Sequence, residues 1–156
     1  MERNALAELD MDLEEAVKIT AEPQTLYPVV DNTKDYFIER DGVRYAGNHV
    51  LVELWDASNL DDPKQIEDAL LQGARDAGAT ILHSHFHHFS PYSGVSGVVV
   101  LAESHISIHT WPEKNYAAID IFMCGDCDPH DALPSIKRSF KPGTVEVQHF
   151  KRGVIK

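Results

Sequence analysis

The sequence LAESHISIHTWPEKNYAAIDIFMCG, residues 101–125, places two β-prone runs on either side of a Trp-Pro-Glu turn. Residues 106–110 and 116–122 are strand candidates, because apolar and β-branched side chains recur in them and turn residues separate them. Around these runs lie a Ser directly after a Glu, two His and a Cys. Ser, His and Cys side chains held close together can form a nucleophile and its proton-transfer partners.

Other parts of the chain also predict strands. Asp41-Gly42 separates two β-prone runs within residues 36–46, which is a strong hairpin signal. Residues 49–55 form a near-continuous apolar run, which favours a central strand. Residues 98–101 and 144–149 predict two further strands.

Residues 79–89 predict a strand with four histidines, followed by a glycine-containing turn at residues 91–97. Since successive side chains of a strand point to opposite faces, one face is expected to carry Ile81, His83, His85 and His87.

One helix is predicted with defined ends. Asp62 is the expected N-cap, Pro63 takes the first helical position, and Gln65 completes a capping-box pattern. Apolar residues follow at helical spacing, and Gly78 is the natural C-terminal cap.

Two other helices have weaker signals. Asp128-Pro129 is typical of a helix start, but Pro134 inside the segment predicts a kink or a later start. Residues 1–22 carry apolar side chains at close to helical spacing among many acids, which favours a short amphipathic helix.

The order of elements is hairpin, strand, helix, strands, helix, strand. Strands outnumber helices and occur in runs, which predicts an α+β fold with helices on one face of a mainly antiparallel sheet. We divide the chain into an N-terminal extension, residues 1–48, and one domain, residues 49–156.

Composition limits the possible functions. The chain has 156 residues and a formal net charge of −11, which argues against nucleic acid as a partner because phosphate binding depends on Lys and Arg. No apolar run approaches the roughly 20 residues of a membrane span. The acidic N-terminus does not resemble a signal peptide, so we expect a cytoplasmic protein with reduced thiols.

Several residues permit a structural or a metal-binding interpretation. Ser104 in a turn is more often only a turn residue, and His105 and His109 taken alone are typical of structural histidines. Cys124 and Cys127 match C-x-x-C, and His130 could supply a third zinc ligand. The histidines of residues 79–89 could also bind metal, but a polar sheet face or an oligomer contact is the more usual role for such residues. These are His83, His85, His87 and His88.

A longer pattern favours catalysis. GVSG, ESH, IHTWPE, YAAIDIF and CG occur in this order within residues 94–125. This arrangement resembles the prokaryotic S-adenosylmethionine decarboxylase family, which is pyruvoyl-dependent, and the resemblance extends over roughly residues 49–153. A match in several parts is far more specific than any single motif. It implies a two-layer α/β sandwich, in agreement with the pattern of elements.

The resemblance implies that the chain cuts itself between Glu103 and Ser104, giving a β chain, 1–103, and an α chain, 104–156. The Ser104 hydroxyl is expected to attack the Glu103 carbonyl, and β-elimination then releases the front chain. Ser104 becomes a pyruvoyl group, which forms a Schiff base with the substrate amine and accepts the electrons released with CO2. No other cofactor and no metal are implied.

Three further residues have roles by resemblance. His109 is expected to handle the proton of the β-elimination, and Ser96 in GVSG to assist processing. Cys124 is the expected proton donor to the product, for which we anticipate a thiol with a near-neutral pKa.

The resemblance also implies a substrate and a partner. S-Adenosylmethionine is the expected substrate, giving the aminopropyl donor of spermidine and other polyamines. Phe89 and Trp55 are expected to stack on its adenine, and Glu113 to bind its ribose hydroxyls. Family members of this kind form homodimers of processed protomers.

The chain departs from the family pattern at three places. Asp56 stands where Glu is frequent, Ser93 is one residue more than usual, and residues 1–48 are longer than in short members. The first two lie near the expected pocket, so arginine and ornithine remain alternative substrates. A non-enzymatic zinc-binding homologue is a third hypothesis.

Overall fold

The computed structural model describes residues 35–91 and 94–155. The proposed helix at residues 1–22 and the extra residue Ser93 therefore lie outside the described residues.

The hairpin predicted at Asp41-Gly42 is present, with β1 (Ile38–Arg40) paired antiparallel to β2 (Val43–Tyr45). Both turn residues have positive φ, 54° for Asp41 and 72° for Gly42, as a two-residue hairpin turn requires. Hydrogen bonds tie the hairpin region to the rest of the described chain, including Ile155 N–H to the Arg44 carbonyl oxygen. The division between residues 48 and 49 stays a prediction.

Within the described residues, six strands form one antiparallel sheet, called the main sheet below. These strands are β3 (Gly47–Trp55), β4 (Ile81–His88), β5 (Val95–Leu101), β6 (Ser104–Trp111), β7 (Tyr116–Met123) and β8 (Thr144–Arg152). Their spatial order is β4-β5-β6-β7-β3-β8, so β3 has a partner on each side, as its apolar run predicted.

The first helix, α1 (Pro63–Asp76), has the predicted ends. The Asp62 carboxylate accepts hydrogen bonds from the N–H groups of Lys64 and Gln65, and Gly78 follows the helix with φ of 77°.

The second helix, α2 (Leu133–Phe140), begins later than Asp128-Pro129. A short 3₁₀ turn, Pro129–Ala132, precedes it, and Pro134 lies in its first turn, where a missing N–H costs nothing. Neither helix in the described part is long and apolar enough to cross a membrane.

The core lies between the two helices and one face of the main sheet. Ile66, Leu70, Ile136 and Phe140 of the helices are fully buried, together with alternate side chains of the central strands. The buried strand residues include Val50, Val52, Leu54, Ile106, Ile108, Ile119 and Ile121. The α+β fold with helices on one face is therefore confirmed. The opposite face, called the open face below, carries the intervening side chains, such as His105, Ser107 and His109 in β6.

The side chains of β4 lie on the predicted faces of the sheet, except for that of Ile81. The pairing of β4 with β5 shifts between Ile81 and His83, so that Ile81 is opposite the buried Leu101 and His83 is opposite the exposed Val100. The irregularity at Leu82 therefore turns Ile81 towards the core. His83, His85 and His87 share the open face as predicted.

Five of the strands are longer than predicted, and β5 and β8 differ most from the predicted ranges. β5 begins at Val95, so Ser96 and Gly97 belong to a strand and not to the predicted turn. Gly97 is opposite Phe86, and a Cβ atom there would lie 2.0 Å from the Phe86 ring, which is why this strand position needs glycine. β8 extends to Arg152.

Candidate active site

Ser104 has an unusual backbone conformation at the start of β6. Its φ of 145° is a value that residues with a Cβ atom rarely adopt. Its hydroxyl oxygen lies 3.1 Å from Nδ1 of His105. Since neighbouring side chains of a regular strand point to opposite faces, this contact depends on the departure from strand geometry at Ser104.

The peptide bond before Ser104 is held by neighbouring segments. The carbonyl oxygen of Glu103 accepts a hydrogen bond of 3.0 Å from the backbone N–H of Cys124. The Glu103 carboxylate accepts a bond of 2.8 Å from the N–H of Thr80. A donor on the carbonyl oxygen makes the carbonyl carbon more open to attack and stabilises the negative charge that attack creates.

Cys124 follows β7, directly after Met123, the cross-strand partner of Ser104. Burial raises the pKa of its thiol, and the nearby Glu103 carboxylate raises it further. The expectation of a near-neutral thiol pKa is therefore wrong, because the half-buried site disfavours the thiolate. A thiol that stays protonated at neutral pH remains suited to donating a proton.

A second group of the predicted residues lies at the other end of the main sheet. Ser96 is opposite His109 across β5 and β6, and the rings of His109 and Phe89 are 5.7 Å apart. These three residues line a cavity of about 540 Å³ together with His85 and His87. The cavity lies on the open face of the main sheet.

The two groups are far apart within one chain. Ser104 and His109 are five residues apart along β6, and a strand rises about 3.4 Å per residue, so their Cα atoms are about 17 Å apart. The structure thus brings Glu103, Ser104 and Cys124 together, and separately Ser96, His109 and Phe89.

Trp55 and Phe89 are also separated. Both belong to a row of aromatic rings. Trp55 stacks on Tyr116 with ring centroids 4.3 Å apart, and Tyr116 stacks on Trp111 with centroids 5.1 Å apart. Trp111 contacts His109 at 4.2 Å, and His109 contacts Phe89. Three rings therefore lie between Trp55 and Phe89, so the two cannot enclose one adenine within a single chain.

Open-face residues near Ser104 form a polar network. Arg152 donates a hydrogen bond of 2.9 Å to Nδ1 of His49, so Nε2 of that ring carries the proton and donates to Asp120 at 3.3 Å. Asp120 also accepts a bond from Ser107.

This fold and site can be compared with known proteins. The family model described as S-adenosylmethionine decarboxylase matches residues 48–153. The chain belongs to the S-adenosylmethionine decarboxylase family. Its relatives include a protein named S-adenosylmethionine decarboxylase proenzyme from Methanococcus maripaludis, 47% identical over 116 residues, covering 72% of this chain and 94% of the relative. A proenzyme of the same name from Thermomicrobium roseum is 43% identical over 114 residues, covering 72% of this chain and 98% of the relative.

A solved structure supports the same family fold. The adenosylmethionine decarboxylase from Aquifex aeolicus matches with a TM-score of 0.65 and 34% identity, covering 72% of this chain and 94% of that one.

The remaining residues expected from the decarboxylase family pattern lie at the Trp111 end of the main sheet. Glu113 is exposed in a 3₁₀ turn, Pro112–Lys114, directly after β6. Asp56 is exposed after β3 and has a positive φ of 52°. Both lie at the same end as Trp55 and His109.

A contact between Tyr116 and Glu53 was not predicted from the sequence of this decarboxylase. The Tyr116 hydroxyl donates to the Glu53 carboxylate, and burial together with that carboxylate raises the pKa of Tyr116 to about 12. The sequence did contain a signal for the position of Tyr116, because Trp111 and Tyr116 flank the turn between two adjacent antiparallel strands and so meet across it.

The zinc hypothesis gains no support. Among residues 35–91 and 94–155, no three His, Cys, Asp or Glu side chains are arranged to hold a metal ion. In particular, the three open-face histidines of β4 do not form such a group.

Proposed function

We propose that this chain is a proenzyme that cuts itself between Glu103 and Ser104 and then decarboxylates S-adenosylmethionine. The observation that carries the proposal is the arrangement at this peptide bond. The attacking Ser104 has a strained backbone, and the Glu103 carbonyl oxygen accepts the Cys124 N–H at 3.0 Å. Family membership and the names of the relatives support the same activity.

Cleavage uses the chain's own groups. The Ser104 hydroxyl oxygen bonds to the Glu103 carbonyl carbon, and the carbon–nitrogen bond breaks, which converts the peptide to an ester. Loss of the Ser104 Cα proton then breaks the bond between Cβ of Ser104 and the ester oxygen, which releases residues 1–103 with a new C-terminal carboxylate on Glu103 and leaves residues 104–156. The dehydroalanine left at position 104 tautomerises, and water releases ammonia to give a pyruvoyl group. His109 is the proposed acceptor of the Cα proton, with Ser96 beside it.

The surroundings of position 104 fit a pyruvoyl group. When present, this group supplies an electrophilic carbonyl that binds the substrate amine and accepts the electrons released with CO2. Cys124 lies beside position 104 and keeps its proton at neutral pH, because burial raises the pKa of the thiol. It is therefore placed to return a proton to the product.

We also propose that the active enzyme is a homodimer joined through the open faces. His109 is about 17 Å from Ser104 in its own chain, so it can act on Ser104 only from a second copy. Trp55, Phe89, Val100 and Phe150 are 38–45% exposed, an unusual set of large apolar side chains for a solvated surface. A two-fold axis across the open face places the Ser104 end of each copy against the His109 end of the other.

The same dimer would bring the proposed substrate-binding residues of two copies around one substrate. Trp55 and Phe89 are too far apart to hold one adenine in a single chain, but an aromatic residue from each copy can do so. Glu113 is exposed and can accept two hydrogen bonds from ribose hydroxyls. Asp56 lies beside Trp55 and is the fourth proposed contact. The product is an aminopropyl donor for spermidine synthesis, and a cytoplasmic location stays a prediction.

CO2 release from purified protein tests the substrate. S-Adenosylmethionine, arginine and ornithine are supplied separately, and Ser104→Ala protein serves as the inactive control. We expect release from S-adenosylmethionine alone. Release from arginine or ornithine but not from S-adenosylmethionine would contradict the proposal.

A further inference from the structure

His105 is next to Ser104, and its ring nitrogen Nδ1 is 3.1 Å from the serine hydroxyl oxygen. This is within the reach that a general base needs to take a proton. The ring is also held in place, because it meets Phe122 edge-on at 6.0 Å and lies between Val100 of β5 and Phe122 of β7. We infer that His105 is the catalytic base that activates Ser104 for the first step of self-cleavage, an assignment that rests on the proposed cleavage at this serine.

The other groups that could accept a proton near Ser104 either hydrogen-bond to other residues or lie too far away. In the described part of the chain, His49 is held by Arg152 and Asp120, and the Glu103 carboxylate accepts the Thr80 N–H. His109 is about 17 Å away along β6. His105 alone among these groups contacts the serine hydroxyl.

The surroundings of His105 favour its basic, neutral form. Burial lowers the pKa of the imidazole, and the nearby His49 lowers it further, while Asp120 acts in the opposite direction. Val100 and Phe122, the cross-strand neighbours, carry no charge. His105 is therefore neutral at neutral pH and can accept a proton.

The strained backbone at Ser104 brings the serine hydroxyl within reach of the His105 ring. In a regular strand Ser104 and His105 would point to opposite faces, and the hydroxyl would not reach Nδ1. The φ of 145° at Ser104 permits the contact. Local strain of this kind is frequent where catalytic groups are aligned.

Conversion of the Glu103–Ser104 peptide bond to an ester needs no reactant beyond Ser104, Glu103 and His105. The Ser104 hydroxyl proton moves to Nδ1 of His105 as the hydroxyl oxygen bonds to the Glu103 carbonyl carbon. The Cys124 N–H stabilises the resulting negative oxygen. As the carbon–nitrogen bond breaks, protonated His105 gives its proton to the departing nitrogen of Ser104. The products are an ester and a free amine, an isomer of the starting peptide.

Cleavage kinetics after cell-free synthesis test the assignment. We expect His105→Ala and His105→Gln chains to be cut at least about 10²-fold more slowly than the natural chain, the usual contribution of a general base. His130→Ala is the matched control, since His130 lies in the 3₁₀ turn before α2 and away from the open face, and it should be cut at the natural rate. Added imidazole should restore part of the rate to His105→Ala, because it can supply the missing base.

Hydroxylamine separates the two histidine roles. It cleaves esters, so it should split His109→Ala protein, which stops after ester formation, and leave His105→Ala protein intact as an amide. Cutting of His105→Ala at nearly the natural rate would overturn the assignment and leave the proposed function standing. An uncut His105→Ala chain that imidazole does not restore would make the residue structural and also overturn it. An uncut natural chain would overturn the proposed function and this assignment with it.

Discussion

The backbone N–H of Cys124 donates a hydrogen bond of 3.0 Å to the carbonyl oxygen of Glu103. In the proposed function, this one residue contributes to two different reactions through two different groups. Its backbone N–H would support attack on the peptide bond, and its protonated thiol would serve the decarboxylation that follows. The two contributions can be separated by substitution.

Replacing Cys124 by Ala should preserve self-cleavage and impair decarboxylation. The backbone N–H remains, but the proton donor is lost, which should lower kcat about 10²–10⁴-fold. Cleavage is followed on a denaturing gel and decarboxylation by CO2 release, with Cys127→Ala as the control that keeps both. A Cys124→Ala chain that remains uncut would show that the thiol itself is needed for cleavage.

Replacing Ser104 by Gly or by Ala should give two uncut proteins of different stability. The φ of 145° is costly for Ala and accessible to Gly. Relief of about 1–3 kcal/mol of strain exceeds the entropic cost of glycine, so we expect Ser104→Gly to be more stable by about 1 kcal/mol. Urea denaturation measures the difference. Equal stability, or a more stable Ala variant, would mean that Ser104 is not strained.

Co-expression tests the proposed dimer. A His109→Ala chain retains Ser104 but lacks the histidine, and a Ser104→Ala chain can supply that histidine from the other side. We expect the His109→Ala chain to be cut only when the Ser104→Ala chain is present, as shown by differently tagged copies on a gel. A Ser104→Ala chain that also lacks His109 is the matched control and should not rescue. Rescue by this double variant, or absence of rescue by the single one, would contradict the dimer arrangement.

The stability of uncut protein should fall at acidic pH partly through His105. Burial and the nearby His49 lower the pKa of His105 in the folded state, with Asp120 opposing. The unfolded chain therefore binds a proton first, and stability is lost as pH falls from about 6.5 through the lower folded pKa. Urea midpoints of Ser104→Ala protein at pH 7.5 and pH 5 measure this loss. Adding His105→Gln should reduce the difference between the two pH values, and an unchanged difference would count against a lowered pKa.

The sequence was sufficient for features that depend on neighbouring residues. Asp62-Pro63 specified the start of α1, and Asp41-Gly42 specified the hairpin turn, because caps and tight turns depend on a few adjacent side chains. The irregularity at Leu82 was not predictable, since it arises from pairing with a distant strand.

The motif order proposed Ser104, His109 and Cys124 as members of the candidate site, and their roles stay predictions. Their arrangement was not predictable, because their separation into two groups follows from the extended course of β6. The contact between Ser104 and His105 was hidden as well, because ordinary strand alternation places the two side chains on opposite faces.

Intact mass spectrometry of the purified natural chain, beside Ser104→Ala protein, tests self-cleavage at Ser104 most directly. The account predicts two chains, residues 1–103 and 104–156, with the second carrying a pyruvoyl group in place of an N-terminal serine. Ser104→Ala protein should keep the mass of a single chain. A natural chain that also retains its full mass, or one cut elsewhere, would contradict the account.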